Sequence, residues 1–147
     1  IHFAGSIVNP ESFERPLDYY ANNVSVSRNL LEACAVEKIE AFIFSSSAAV
    51  YGDAKTTLIP EDAPTAPVSP YGETKLITEW MVRNVAAVSY MRFVALRYFN
   101  VAGADPDGDT GPSPHDTKHL IPSAIRAARW MTPPGAIGMP ACAMWWR

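Results

Sequence analysis

Several kinds of functional residue are scarce in this chain of 147 residues. Its two cysteines, Cys34 and Cys142, are too few and too far apart for a disulfide scaffold or a paired-cysteine metal site. The three histidines have no metal-ligand spacing. No apolar run approaches the ~18 residues of a membrane-spanning helix. A formal charge of −3 without a Lys/Arg cluster argues against nucleic acid and anionic membranes as main partners.

The chain also lacks a glycine-rich G-x-G-x-x-G turn. Its eight glycines are not arranged to form a strand–turn–helix that cradles a pyrophosphate. If a dinucleotide binds, we expect its pyrophosphate site to lie outside this sequence. The first residues, 1–4, form an apolar run that begins without a methionine. We therefore expect a fragment of a longer protein.

Hydrophobic residues make up 48% of the chain, which is enough for the packed core of one domain. Three short apolar runs predict buried strands near residues 1–4, 40–46 and 93–98. The segments between them predict helices over 17–36 and 70–89. Alternating strands and helices predict an α/β fold with a parallel sheet and right-handed crossovers. Three strands and two crossovers make the second half of a Rossmann-like, doubly wound sheet.

The pattern changes toward the carboxyl terminus. We expect a last helix over about 118–130, whereas residues 131–147 show no helical or strand period. The sequence is therefore divided into a partial Rossmann-like domain, residues 1–130, and an irregular tail, residues 131–147. The first strand lacks its usual neighbours, and we expect this exposed edge to make the isolated chain poorly soluble.

A tyrosine and a lysine, Tyr71 and Lys75, stand four residues apart in the second predicted helix, which Ser69 and the following proline are expected to open. Side chains at this spacing share one helix face, and an ammonium beside a phenol favours the phenolate, a general base. Tyr51 and Lys55 have the same spacing, but the Gly-Asp pair between them predicts a loop. The pair on the helix is therefore the stronger candidate.

Small or polar residues follow the ends of all three predicted strands. Gly5 ends the first strand, three serines at positions 45–47 end the second, and Asn100 ends the third. In an open parallel sheet, ligands bind beyond the carboxyl ends of the strands. The sequence thus predicts one crevice that gathers these residues around the tyrosine–lysine pair. Cys34, on the apolar face of the first helix, is predicted to be a core residue.

Taken together, these segments resemble the extended short-chain dehydrogenase/reductase superfamily, most closely the bacterial UDP-glucose 4-epimerases. The stretches that carry the resemblance are residues 2–5, 22–24, 42–52, 69–76, 96–104 and 119–121. The resemblance implies a cytoplasmic isomerase with tightly bound NAD that interconverts UDP-glucose and UDP-galactose through a 4-keto sugar. It also implies a homodimer for the full-length protein.

The resemblance implies a role for each matched residue. Tyr71 would be the general base, Ser47 would hydrogen-bond the reacting sugar oxygen, and Lys75 would bind the nicotinamide ribose. NAD would contact these three side chains and five further residues, namely Phe3, Ala4, Gly5, Asn22 and Phe99. The UDP-sugar would contact Ser47 and Tyr71 together with Asn100 and His119.

Two alternatives stay open at this point. The first is a nucleotide-sugar dehydratase or another NAD-dependent epimerase/dehydratase. Dehydratases commonly carry an Asp-Glu pair where Ala48 and Ala49 follow Ser47, which argues against this reading. The second is a non-catalytic truncated chain or partner module, which the missing glycine-rich turn favours. We expect the 147-residue chain by itself to be inactive.

Overall fold

Strands and helices alternate in the order that the sequence predicts. The computed structural model describes residues 1–54, 58–101, 103, 105–107, 109 and 124. Residues Ile1–Asn100 form one unit. Its elements are α1 (Asn9–Glu14), α2 (Pro16–Tyr19), a π-helical turn (Tyr20–Ser25), α3 (Val26–Val36), β1 (Ala41–Ser47), a 3-10 helix (Ala48–Tyr51), α4 (Pro70–Val88) and β2 (Arg92–Tyr98).

The two strands confirm the parallel sheet. Strand β1 pairs with β2 in parallel, from Ala41 opposite Arg92 to Ser47 opposite Tyr98. Helix α4 makes the crossover between the two strands. Both strands therefore end at the same edge, and the residues that follow them lie at one end of the sheet.

The predicted first strand is shorter than expected. Of residues 1–4, only His2 pairs with the sheet, in a parallel bridge to Phe44. Two ladder hydrogen bonds, of 2.8 and 3.0 Å, hold that bridge. Gly5 then adopts φ 151°, a conformation that favours glycine, and the extended segment ends there. The orientation of the first segment is as predicted, but it forms a bridge and not a strand.

The helix predicted over 17–36 is interrupted by the π-helical turn Tyr20–Ser25. A π turn adds one residue, and each added residue rotates the following side chains by about 100°. Apolar residues before and after the turn therefore differ in burial: Leu17 is 79% exposed whereas Leu31 is 2% exposed. Helix α1 was not expected from the sequence and lies just before α2.

The core lies between β1 and the helices α3 and α4. Its buried members are Leu31, Phe42, Phe44, Val82 and Met91. Cys34 is half-buried and packs against this cluster, as predicted. The helix predicted over about 118–130 and the tail 131–147 lie outside the described residues, apart from Ala124, which is helical.

Adjacent leucines in α3 test this core. Leu31→Ala is expected to lower the free energy of unfolding by about 2–5 kcal/mol, because it leaves a cavity beside buried rings. Leu30 is 37% exposed, so Leu30→Ala should cost less than about half as much. Urea unfolding of the 147-residue chain, followed by circular dichroism, measures both. Equal losses of stability in the two variants would contradict the orientation of α3, in which Leu31 and not Leu30 faces the core.

Candidate active site

The start of α4 fixes the tyrosine–lysine pair. Ser69 caps the helix, and its Oγ accepts the backbone N–H of Gly72 at 3.2 Å. Pro70 occupies the first turn, where its missing N–H costs no hydrogen bond. Tyr71 therefore lies in the first turn and Lys75 one turn later. Both parts of this prediction, the cap and the proline, are confirmed.

The start of α4 also packs closely against the segment that follows Ser47. A Cβ atom on Gly72 would lie 2.7 Å from the carbonyl oxygen of Ala49, so only glycine allows this approach. Ser47 caps the 3-10 helix, and its Oγ accepts the N–H of Ala49 at 3.2 Å. The residue next to Tyr71 thus touches the turn that Ser47 begins.

Lys75 is buried at the centre of this arrangement, with 3% of its surface exposed. Its Nζ donates a hydrogen bond to the carbonyl oxygen of Ser45 at 2.9 Å. The same Nζ lies 5.1 Å from the ring centre of Phe44 and 5.8 Å from that of Tyr71. Burial lowers the pKa of Lys75. The ammonium therefore lies between the end of β1 and the phenol ring.

Asn23 connects the loop after Gly5 to α4. Its Oδ1 accepts the Ser6 N–H at 2.7 Å, and its Nδ2 donates to the Ser6 carbonyl and to Thr74 Oγ1, each at 3.0 Å. A Cβ on Gly5 would lie 2.9 Å from that Oδ1. Asn22 is exposed and donates to Ser6 Oγ at 3.1 Å. From the sequence, Asn22 is proposed as a cofactor-binding residue, and Asn23, which is buried, is not singled out.

The side chain of His2 is connected to Asn23 through Ser27. His2 Nε2 lies 2.9 Å from Ser27 Oγ, which in turn donates to the carbonyl of Asn23. Because the only hydroxyl proton of Ser27 is used there, Nε2 carries the proton of the histidine. Burial, followed by the charge of Lys75, lowers the pKa of His2. A neutral imidazole therefore holds the π turn against the sheet.

Five of the predicted cofactor-binding residues have exposed surfaces, in contrast to the buried Lys75. The four on the amino-terminal side and the one after β2 are exposed: Phe3, Ala4, Gly5, Asn22 and Phe99. Asn100 follows β2 and is also exposed. His119 lies outside the described residues. Among the described residues, no group of three His, Cys, Asp or Glu side chains could hold a metal ion.

The second tyrosine–lysine pair differs in part from its prediction. Tyr51 lies at the end of a 3-10 helix, not in a loop. It is buried because it packs with Val50 and Leu76 in a second apolar cluster. Its ring stacks on Phe99, with 6.5 Å between ring centres. Lys55 lies outside the described residues.

Parallel strands joined by a helical crossover are typical of a Rossmann-like α/β protein. Tyr71 and the buried Lys75 lie one helical turn apart at the carboxyl edge of this sheet. The model of the family described as "NAD dependent epimerase/dehydratase family" matches residues 1–138. The chain belongs to this family. The resemblance to the extended short-chain dehydrogenases/reductases is thereby confirmed.

Individual relatives agree with this assignment. The UDP-glucose 4-epimerase of Azospirillum brasilense is 53% identical over 137 residues, which is 93% of this chain and 39% of that protein. The UDP-glucose 4-epimerase of Brucella ovis, solved in complex with NAD, has a TM-score of 0.80 and 47% identity over 86% of this chain and 39% of its own. The chain thus spans about two fifths of the length of these relatives. In the part of the chain that is described, no helix has the length and apolar character to cross a membrane.

The buried ammonium predicts a pH dependence of stability. Folding lowers the pKa of Lys75 from its ordinary value of 10.5. At a pH between the lowered pKa and 10.5, Lys75 is therefore protonated in the unfolded chain and deprotonated in the folded chain. Stability contributed by this group must therefore rise as the pH rises through that window. Compared with Lys75→Met, the wild-type chain should gain about 1.4 kcal/mol for each unit of lowering.

Chemical unfolding of both chains at a series of pH values up to 10.5 measures this difference. Subtracting the variant removes the contribution of titratable groups that lie far from Lys75. A difference that is flat or falls with pH would contradict the burial of the ammonium.

Proposed function

We propose that this chain carries the catalytic centre of a UDP-glucose 4-epimerase. One observation carries the proposal: the buried ammonium of Lys75 lies between the ring of Tyr71 and the carbonyl of Ser45. A cation beside a phenol favours the phenolate, which is the form that removes a proton from a hydroxyl group. The names of the relatives supply the substrate class, since they are UDP-glucose 4-epimerases.

The residues at this edge fit NAD. An ammonium has three N–H donors, and among the described residues Lys75 uses one in a hydrogen bond, which leaves two for the hydroxyl groups of a ribose. Phe3, Ala4, Gly5 and Asn22 would line the cofactor on one side, with Phe99 on the other. NAD, when bound, would supply the hydride chemistry at sugar carbon 4, as the acceptor of the hydride and then as its source.

The chain's own groups would handle the proton. Tyr71 would take the proton of the sugar 4-hydroxyl group and later return it. Ser47 Oγ accepts an N–H from Ala49, so its own proton is left to donate to the sugar oxygen. Ser47 caps the 3-10 helix and Tyr71 lies in the first turn of α4, so both groups are near the carboxyl end of β1. Asn100 and His119 would bind the diphosphate of the substrate.

A dehydratase is a weaker candidate. Elimination of water requires further acid and base groups beside the reacting carbons. Ala48 and Ala49 supply none, and the backbone of Ala49 is in close contact with Gly72. The homodimer and the cytoplasmic location that the resemblance implies stay predictions.

A hybrid enzyme tests the proposed base. Residues 1–100 of this chain replace the matching segment of the full-length Azospirillum brasilense relative, which is 53% identical over 137 residues. Tyr71→Phe should lower kcat by about 10²–10⁴-fold, because it removes the group that accepts the proton. NAD should stay bound, as measured in the protein after extraction.

Tyr90→Phe is the matched control, since this tyrosine is fully exposed. Its kcat should stay within about twofold of the parent hybrid. Activity of Tyr71→Phe above about half that of the parent would eliminate Tyr71 as the base.

The chain alone should have no measurable epimerase activity. No G-x-G-x-x-G motif is present in its 147 residues, so the sequence supplies no glycine-rich turn to hold the pyrophosphate. A misplacement of the reacting groups by ~1 Å can already cost about a hundredfold in rate. The assay is conversion of UDP-galactose by the purified chain in excess NAD. Turnover above background would refute this expectation.

A further inference from the structure

Glu79 is a buried acid that the proposed mechanism does not use. It lies on α4, one helical turn after Lys75 and two turns after Tyr71, so the three side chains follow one face. Glu79 is 8% exposed. A carboxylate is almost never so deeply buried unless it is paired. Its partners therefore indicate what it does.

The partners of Glu79 come from both strands. Ser46 on β1 donates its hydroxyl proton to Glu79 Oε1. Arg97 on β2 donates from Nε to Oε1 at 3.0 Å and from Nη2 to Oε2 at 2.7 Å. This carboxylate raises the pKa of Arg97. Paired N–H donors of arginine fix both the distance and the angle of a carboxylate.

Ser46 and Arg97 are opposite each other in the sheet, one position before the strands end. The next pair is Ser47 and Tyr98, and Phe99 follows. One carboxylate on α4 therefore holds the last part of both strands. Any shift of this pair moves the proposed catalytic serine.

Arg97 extends the same connection to the aromatic side of the site. Its guanidinium carbon lies 4.8 Å from the ring centre of Tyr51, and its Nη1 donates to the carbonyl of Glu61 at 3.2 Å. The ring of Tyr51 stacks on Phe99. Phe99 is one of the residues proposed to line the cofactor.

Two contacts one turn apart set the position of α4. Lys75 holds the carbonyl of Ser45, and Glu79 holds the hydroxyl of the next residue, Ser46. One contact alone would allow α4 to pivot about the strand. Two consecutive contacts fix both its rotation and its position along the strand, and with them the place of Tyr71.

We propose that Glu79 is a positioning residue: through Ser46 and Arg97, it sets the place of the Tyr71 phenol relative to the Ser47 hydroxyl. This inference rests on the proposed function of the site. A residue of this kind affects the rate of the chemical step more than the binding of substrate, because the binding groups stay in place while the reacting groups separate.

The hybrid described above tests the role of Glu79 in catalysis. Glu79→Gln should lower kcat by at least about tenfold, with the KM for UDP-galactose within about threefold of the parent and the NAD content unchanged. Arg97→Lys is the second variant, for use if Glu79→Gln does not fold. It keeps the charge but loses the paired contact with Glu79, so it should also lower kcat and leave KM nearly unchanged. Val82→Ala is the matched control, because Val82 is fully buried on the same helix and belongs to the apolar core cluster around Phe42 and Phe44.

Val82→Ala should lose stability and keep its kcat within about twofold. An unchanged kcat in Glu79→Gln, or an equal fall in Val82→Ala, would overturn the role of Glu79. Activity in Tyr71→Phe would reject the proposed function itself. Loss of activity in Tyr71→Phe with full kcat in Glu79→Gln would reject only the present inference.

Hydrogen exchange in the 147-residue chain gives a readout that is independent of activity. Glu79→Gln should speed amide exchange at residues 45–47 and 97–99 and leave Phe42 unchanged. Val82→Ala should speed exchange at Phe42, which shares its core cluster. Exchange that rises equally along both strands in Glu79→Gln would mean a general loss of stability and would overturn the positioning role.

Discussion

The burial of one ammonium group constrains the rest of this structure. Removing a charge from water costs several kcal/mol unless the protein supplies partners. Lys75 has its partners in the carbonyl of Ser45 and the rings of Phe44 and Tyr71. These contacts require α4 to approach the end of β1 closely. The absence of a side chain at Gly72 makes that approach sterically allowed.

The other side of the site depends on a second set of buried polar contacts. The π turn places Asn23 where it bonds both the loop at Ser6 and Thr74 on α4. His2 and Ser27 hold the turn from the side of the sheet. These buried polar groups form hydrogen bonds with one another. Together they hold the exposed loop of residues 3–5 against the face of α4 that carries Tyr71.

Sequence patterns were sufficient for the elements whose signals are local. Apolar runs gave β1 and β2, and Ser69 with its proline gave the start of α4. The π turn has no such signal, since it depends on a hydrogen bond from Ser27 to a backbone carbonyl and on distant partners of Asn23. The choice between Asn22 and Asn23 also depends on which one faces α4. For the same reason the Glu79–Arg97 pair was missed, because its members are far apart in sequence and meet only after the strands align.

In the proposed function, hydride transfer takes place at carbon 4 of the sugar, and Tyr71 would move only the hydroxyl proton. The most direct test follows a deuterium label in the hybrid enzyme. UDP-galactose deuterated at carbon 4 should give UDP-glucose that keeps the label at carbon 4, since the hydride leaves and returns without exchange with water. Loss of the label to solvent would mean removal of that hydrogen as a proton, and would contradict the assignment of this site.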